Sequence, residues 1–149
     1  MQIGDKCPQF ELTDQNGKQF KSNEWIGRKK LVIFFYPKDE TSGCIMEACS
    51  FRDSHEDFLQ FDCQVIGISS DSVLSHKKFA SKYNFNYLLL ADTDKTVRKL
   101  FQVPGSLFGL LPGRVTYIID LEGKICGIHN SQLNPSSHMK ESLKLLRQL

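Results

Sequence analysis

The chain has 149 residues, 40% of them hydrophobic, which is enough to bury a core as one domain spanning residues 1–149. Its 19 Lys and Arg nearly balance 17 Asp and Glu, and the charges are dispersed, so nothing favours binding to nucleic acid or to a membrane surface. We expect a cytoplasmic protein, because the N-terminus lacks the apolar core of a signal peptide and no segment approaches the ~20 apolar residues of a membrane span.

The first half of the chain alternates between strand and helix signals. Asn16-Gly17 marks a turn between two short alternating runs and predicts an N-terminal β-hairpin. Residues 31–36, LVIFFY, form a continuous apolar run that is typical of a strand buried on both faces. Apolar residues from Cys44 to Phe58 recur at close to helical spacing and predict a helix. Residues 65–69, VIGIS, return to strand character.

The middle of the chain, residues 71–113, continues this alternation. Residues 71–83, DSVLSHKKFASKY, open with capping residues and predict a helix. Residues 87–91, YLLLA, predict a short strand, and residues 94–101, DKTVRKLF, a short helix. Gly and Pro interrupt an apolar loop at residues 103–113, VPGSLFGLLPG, which we expect near a site or a partner.

The C-terminal part predicts a second hairpin and a last helix. VTYIID and KICGIHN flank Leu121-Glu122-Gly123 and predict an antiparallel pair of strands. Asn134-Pro135 then precedes an amphipathic helix that carries Met139, Leu143 and Leu146. The order of elements predicts an α/β fold whose central sheet is mostly parallel and is covered by helices on both faces.

Cys44 is the first candidate for chemistry. It follows a predicted buried strand, a proline and Thr41-Ser42-Gly43, so it falls in the first turn of a helix whichever of Thr41 or Ser42 is the N-cap. A helix N-terminus or a nearby cation lowers the pKa of a free thiol from about 8.5 to roughly 3.5–7.5, which favours the reactive thiolate. The alternative is a small buried apolar residue, which is what most cysteines are.

Arg114 is the candidate cation. It directly precedes the predicted strand VTYIID, where an arginine has little packing role. On local evidence, an equal alternative is that Arg114 only ends the strand and extends its guanidinium into solvent.

The five cysteines do not form a regular framework. Their number is odd, so we expect most of the thiols to be reduced. Cys49 follows Cys44 by five residues, a spacing that fits neither a zinc knuckle nor a dithiol redox loop. A structural role is favoured for Cys63 and Cys126, while Cys7 is left open. The four histidines have no partner at metal-ligand spacing, and we expect most of them on the solvated surface.

The segment YPKDETSGCIMEACSFRD, residues 36–53, resembles a known family. Pro37, Thr41 and Cys44 match the Pro-x-x-x-Thr-x-x-Cys signature of peroxiredoxins, and the segment resembles the peroxiredoxin Q group, also called bacterioferritin comigratory protein. IGDKCPQFELTDQNGK and LFGLLPGRVTYIID extend the resemblance to nearly the whole chain. It implies a thioredoxin-like fold, with a central mixed sheet flanked by helices and an N-terminal β-hairpin extension.

The resemblance also implies catalytic roles for six residues. Cys44 would be the peroxidatic cysteine, which attacks the peroxide oxygen and becomes a sulfenic acid, and Cys49 would be the resolving cysteine. The other four implied roles are hydrogen bonding to the thiolate and peroxide by Thr41, shielding of the sulfur from water by Pro37, thiolate stabilisation and O–O polarisation by Arg114, and support of that arginine by Glu47.

The implied activity is that of a thiol-dependent peroxidase for hydrogen peroxide and organic hydroperoxides. An intramolecular disulfide would be recycled by thioredoxin or a similar dithiol, and the protein would be a monomer. No metal, flavin or nicotinamide motif is present, so we expect no cofactor. Ser42 departs from the group, which often has proline there.

Two other functions compete with this interpretation. A thiol-disulfide oxidoreductase would use a Cys-x-x-Cys loop, which the sequence lacks. A peroxide-sensing switch that uses the same two cysteines without efficient turnover stays open on sequence grounds.

Overall fold

Seven β-strands and five α-helices alternate along the parts of the chain that the structure, a computed structural model, describes: residues 1–105 and 113–149. In chain order they are β1 (Glu11–Asp14), β2 (Gln19–Lys21), β3 (Lys30–Phe35), α1 (Ser42–Asp53), α2 (His55–Gln60), β4 (Cys63–Ser69), α3 (Val73–Tyr83), β5 (Leu88–Ala91), α4 (Thr96–Leu100), β6 (Val115–Ile119), β7 (Ile125–Asn130) and α5 (Ser137–Leu146).

The strands form one mixed sheet in the order β2-β1-β5-β4-β3-β6-β7. Within the described residues, only the β3–β4 and β4–β5 pairs are parallel. The expectation of a mostly parallel sheet was therefore wrong, because the hairpins β1–β2 and β6–β7 are antiparallel and also join their neighbours β5 and β3 in antiparallel fashion. The two predicted hairpins and the mixed sheet are confirmed.

The central strand β3 buries side chains on both faces of the sheet, as LVIFFY predicted. Phe34 faces the side covered by α1 and stacks on Phe51 with ring centroids 4.6 Å apart. Phe35 faces the other side and meets Phe101, just after α4, at 5.2 Å. Each fully buried Phe contributes about 1.5–3 kcal/mol relative to an exposed one, so this strand is held firmly between two cores.

The predicted helix from Cys44 to Phe58 is divided in two. Ser54, with φ −103° and ψ 12°, separates α1 from α2. Phe51 and Phe58 nevertheless reach the same core and contact each other at 5.6 Å between ring centroids. The apolar spacing therefore predicted correctly that Phe51 and Phe58 are buried on the same side. It could not predict the break at Ser54, because the break leaves both side chains in the same core.

Most of the predicted apolar loop, residues 106–112, lies outside the described residues. Among the helices that are described, none has the length and apolar character required to cross a membrane.

Candidate active site

Cys44 lies in the first turn of α1, directly after the loop that leaves β3. Thr41 is the N-cap in extended conformation, and its carbonyl accepts the first helical hydrogen bond from the Ile45 N–H at 2.8 Å. The side chain of Cys44 is buried, with 1% exposed. The N–H groups of a first helical turn have no helical partners and the helix dipole is positive there, so this position favours a negative charge on the sulfur.

Arg114 brings a cation to the same sulfur. Its Nη2 lies 3.5 Å from the Cys44 Sγ, its Nη1 donates to Glu47 Oε1 at 3.2 Å, and its Nε donates to the Gln132 carbonyl at 3.4 Å. Only 4% of the arginine is exposed. Glu47 stands one turn after Cys44 on α1, which places both side chains on one helix face. The structure thus brings Cys44, Glu47 and Arg114 together, and a buried cation at this distance stabilises a thiolate.

The Glu47 carboxyl is fully buried, and this affects the charge of the site. Burial raises the pKa of Glu47 to about 8, although the nearby Arg114 cation acts in the opposite direction. Oε1 accepts from Arg114, whereas Oε2 has no hydrogen-bond partner among the described residues. A carboxyl that is partly protonated at neutral pH leaves more of the arginine charge available to the sulfur.

Gly43 allows Arg114 to approach the helix. A Cβ at this position would lie 3.0 Å from Arg114 Nη2 and 3.5 Å from Pro135 Cγ. We predict that Gly43→Ala displaces the guanidinium and slows oxidation of Cys44 by about tenfold, corresponding to ~1.4 kcal/mol of barrier. Alanine favours helices, so the melting temperature should not fall.

The rate is measured as single-turnover loss of the Cys44 thiol, with Ser42→Ala as the matched control. Ser42 is exposed on the same turn, so its replacement should leave the rate unchanged. Equal rates for Gly43→Ala and the wild type would mean that the close approach of Arg114 has no kinetic role.

Pro37 and Thr41 precede Cys44 in the loop between β3 and α1 and at the start of α1. Pro37 is half-buried and Thr41 is exposed. The Thr41 hydroxyl donates to the Lys38 carbonyl at 2.9 Å, and among the described residues it forms no hydrogen bond with Cys44. Their implied roles, shielding the sulfur and binding the peroxide, stay predictions.

Comparison with known proteins identifies the family. The sequence matches the AhpC/TSA family over residues 3–128. The chain belongs to this family. It is also 50% identical over 144 residues to a chloroplastic peroxiredoxin Q from Arabidopsis thaliana, which covers 97% of the chain and 66% of that relative. The chain therefore spans about two thirds of the relative's length, and the resemblance to the peroxiredoxin Q group is confirmed.

Solved structures agree with the family and confirm the thioredoxin-like fold. Peroxidoxin BcpB from Mycobacterium tuberculosis superimposes with a TM-score of 0.91 at 36% identity, covering 100% of this chain and 98% of that one. A bacterioferritin comigratory protein from Xanthomonas campestris, studied for its alkyl peroxide reduction activity, gives a TM-score of 0.84 at 28% identity, with coverages of 93% and 90%.

The remaining cysteines of this AhpC/TSA family member differ from Cys44 in their surroundings. All five thiols are free. Burial raises the pKa of both Cys7 and Cys63 to about 12, and it also raises the pKa of Cys126 and of the half-buried Cys49. Cys63 belongs to the core on the α1 side of the sheet, and Cys126 packs against that core. These surroundings favour neutral thiols and fit structural roles for Cys63 and Cys126.

A buried polar network holds the loop between β3 and α1. Asp39 accepts from the Tyr36 hydroxyl at 2.6 Å and from the Ser75 hydroxyl at 2.8 Å, and it lies 2.7 Å from His76 Nδ1. The backbone N–H of Asp39 donates to Asp71 at 2.9 Å. The loop that carries Pro37 and Thr41 is therefore fixed to α3 by the buried Tyr36, Asp39 and His76 together with the half-buried Asp71 and Ser75.

The donor atoms of Asp39, Asp71 and His76 all lie within 4.8 Å of one another, a spacing that could hold a metal ion. Each of these groups already has protein partners: the hydroxyl of Ser69 donates to Asp71 at 2.6 Å, and His76 Nε2 lies 3.0 Å from the Leu90 carbonyl. These hydrogen bonds account for the cluster as an anchor of the loop between β3 and α1.

The expectation that most histidines are solvated was wrong for His76 and His138, because both are completely buried. His138 precedes Leu146 by eight residues and Ser142 by four, which places it on the buried face of α5. His76 precedes Phe79 and Ala80 by three and four residues on α3 in the same way. This periodicity was the available signal, since both histidines were predicted to lie in helices, although neither was assigned a role.

His138 predicts an acid-sensitive contribution to stability. Burial lowers the pKa of its ring from 6.5 to about 4; the hydrogen bond to Ser131 acts in the opposite direction, and the nearby His129 and Arg114 lower the pKa further. The unfolded chain therefore binds a proton that the folded protein resists, and stability is lost as the pH falls from 6.5 towards 4. His138→Gln cannot titrate, so the stability advantage of the wild type over it should fall by up to about 3 kcal/mol across this range.

This difference is measured by urea unfolding of both proteins at several pH values between 7 and 4. Glu47 is present in both proteins, so its contribution to the pH dependence of the free energy of unfolding largely cancels in the difference. A difference that stays constant with pH would mean that the ring binds protons equally well in the folded and unfolded chains.

Proposed function

We propose that the protein is a thiol-dependent peroxidase in which Cys44 attacks the peroxide. The observation that carries this proposal is the contact of 3.5 Å between Arg114 Nη2 and the buried Cys44 sulfur, at the first turn of α1. A nucleophilic sulfur needs the thiolate form, and a peroxide needs donors for the negative charge that develops on its departing oxygen. Arg114 and the helix N-terminus supply both requirements in one enclosed place.

The first reaction converts the thiolate into a sulfenic acid. The Cys44 sulfur attacks one oxygen of R–O–O–H, an S–O bond forms, and the O–O bond breaks. The sulfur keeps an OH group and is oxidised, while RO⁻ departs, takes a proton from solvent and is released as water or an alcohol. We include organic hydroperoxides among the substrates because the Xanthomonas campestris relative is described for alkyl peroxide reduction.

The second reaction pairs Cys44 with Cys49, and helix geometry sets its requirement. Both residues lie in the continuous helix α1. Two residues five apart on a helix have Cα atoms about 8.6 Å apart, whereas a disulfide requires roughly 4.4–6.8 Å. Attack of the Cys49 thiol on the sulfenic sulfur, which forms the S–S bond and releases water, therefore requires the first turns of α1 to unwind.

This requirement gives a prediction for amide exchange. Residues 43–52 should exchange at least about tenfold faster in the oxidised protein than in the reduced one, corresponding to ~1.4 kcal/mol less protection. The measurement is hydrogen–deuterium exchange on both forms, with the Cys44–Cys49 disulfide verified by mass. Strand β3, which is buried in both, is the internal control. Equal protection of residues 43–52 in both forms, with the disulfide present, would contradict the unwinding step.

Thioredoxin or a similar dithiol is the reductant that we propose for this disulfide, and the unwound segment would give it access to the buried sulfur. We propose further that the protein acts as a monomer in the cytoplasm.

Steady peroxide consumption in the presence of a dithiol donor tests the proposed function. A peroxidase continues for many equivalents, whereas a peroxide-sensing switch stops near one equivalent per chain. Consumption that ends after one equivalent would exclude efficient turnover and favour the switch.

A further inference from the structure

Four buried side chains, those of Arg114, Glu47, His138 and Thr116, lie in a row of successive contacts behind the Cys44 sulfur. Arg114 bonds Glu47, whose free oxygen Oε2 lies 3.5 Å from His138 Nε2. His138 Nδ1 in turn lies 2.7 Å from the hydroxyl of Thr116. Arg114 directly precedes β6 and Thr116 lies within it, so these contacts connect α1, β6 and α5.

The partners of His138 fix which nitrogen carries its proton. Nε2 lies 2.8 Å from the Ser131 carbonyl, which can only accept, so Nε2 must be the N–H donor. The neutral ring then has its lone pair on Nδ1, and the Thr116 hydroxyl donates to it. The Nε2–H is thus directed at the Ser131 carbonyl, and the ring edge lies 3.5 Å from Glu47 Oε2, the one oxygen of the carboxyl without a hydrogen bond among the described residues.

We infer that His138 is a positioning residue of this site: it orients Glu47 and thereby holds Arg114 against the Cys44 sulfur. This inference rests on the proposed peroxidase function and adds a residue from α5 to it. The hydrogen bonds of His138 to Ser131 and Thr116 fix the ring beside Oε2, so the ring limits rotation of the carboxyl and Oε1 stays turned towards Arg114. Without the fixed ring, Glu47, whose one hydrogen-bond partner among the described residues is Arg114, can turn, and the guanidinium loses the support that holds its Nη2 near the sulfur.

The segment after β7 supports the same arrangement from behind. The Ser131 carbonyl accepts from His138, and the next carbonyl, that of Gln132, accepts from Arg114 Nε at 3.4 Å. Ser131 also donates its backbone N–H to the Arg114 carbonyl at 3.3 Å. A shift of α5 or of the His138 ring would therefore move both groups that accept hydrogen bonds from the Arg114 guanidinium, the Glu47 carboxyl and the Gln132 carbonyl.

Two substitutions of His138 separate positioning from packing. Gln reaches the place of Nε2 and can donate to Ser131 and Glu47, whereas Asn reaches only the place of Nδ1 and can bond only Thr116. In His138→Gln we expect peroxide to oxidise Cys44 at a rate within about threefold of the wild type. In His138→Asn we expect this rate to be at least about tenfold lower, because small displacements of catalytic groups cost one to two orders of magnitude in rate.

The rates are measured in a Cys49→Ser background, where each chain oxidises once and the sulfenic acid is trapped and counted by mass. The probe is hydrogen peroxide, and the rate is followed from pH 5 to 9. For His138→Asn the midpoint of the pH–rate profile should move to higher pH, because a displaced Arg114 stabilises the thiolate less. Loss of packing alone would lower the melting temperature without moving this midpoint.

His129→Gln is the matched control. The His129 ring packs on His138 with centroids 4.7 Å apart, but its Nε2 bonds Ser137 at 2.7 Å and not Glu47. We expect its rate and midpoint to equal those of the parent. Wild-type kinetics in His138→Asn, or equal losses in His138→Asn and His138→Gln, would overturn the inference. A wild-type protein that fails to consume peroxide beyond one equivalent would instead overturn the peroxidase function on which it rests.

Discussion

Replacing Cys44 by serine is expected to reduce peroxide turnover to the uncatalysed background. Serine fits the same enclosed position beside Arg114, so the fold should be retained. Its hydroxyl remains protonated at neutral pH, however, and it is a poor nucleophile towards a peroxide oxygen. Turnover is measured as peroxide consumption with a dithiol donor, and the single-turnover product is sought by mass.

Two other cysteines provide matched controls for this prediction. Cys63→Ser and Cys126→Ser should keep most of the activity, because neither thiol lies beside the cation. Cys63 is 1% exposed, so a buried hydroxyl there should cost about 1–3 kcal/mol of stability. Activities must therefore be compared well below the melting temperature. Comparable loss in all three variants would contradict the assignment of Cys44 as the nucleophile.

The local elements of the fold could be predicted from the sequence because each has its own signal. LVIFFY predicted the doubly buried strand β3, and Asn16-Gly17 predicted the first hairpin. The capping residues before α3 were also informative, since the Ser72 side chain accepts from the Ser75 N–H at 3.1 Å. These signals lie within a few residues of the structure that they specify.

The direction of pairing between strands that are distant in the chain has no such local signal. Alternating strands and helices favour parallel crossovers, yet β6 inserts beside β3 in antiparallel fashion and β1 joins β5 in the same way. These pairings join residues far apart in sequence, for example Thr13 with Ala91. They depend on the packing of the whole sheet, which neither periodicity nor turn residues encode.

The candidate site shows the same division between local and distant information. The sequence indicated Cys44 through its place after a strand and Arg114 through its place before one, and the family resemblance supplied Glu47. Their meeting could not be derived from spacing, since Arg114 lies 70 residues from Cys44 and 67 from Glu47. The burial of His138 was not predicted, because a histidine on an amphipathic helix is polar by composition, and its burial is stabilised by partners from β6 and from the turn after β7.

Arg114→Met is expected to slow the oxidation of Cys44 by about 10²-fold, the usual cost of removing one donor that stabilises developing negative charge. The cation beside the sulfur is lost, and so is the donor for the departing oxygen. Glu47 is left buried without its partner, but burial already raises its pKa to about 8, so it can bind a proton and avoid an unpaired charge. The variant should therefore fold, which a thermal melt verifies before the second-order rate constant is measured.

Arg114→Lys separates the charge from the shape of the guanidinium. Lysine retains the positive charge, but its single ammonium cannot place two nitrogens on Cys44 and Glu47 at once. We expect a rate between those of Arg114→Met and the wild type, about tenfold below the latter, because part of the electrostatic stabilisation remains. Arg28→Met, an exposed change of equal charge, should have no effect. A wild-type rate for Arg114→Met would mean that the arginine is only structural, and a wild-type rate for Arg114→Lys would mean that its charge alone activates the sulfur.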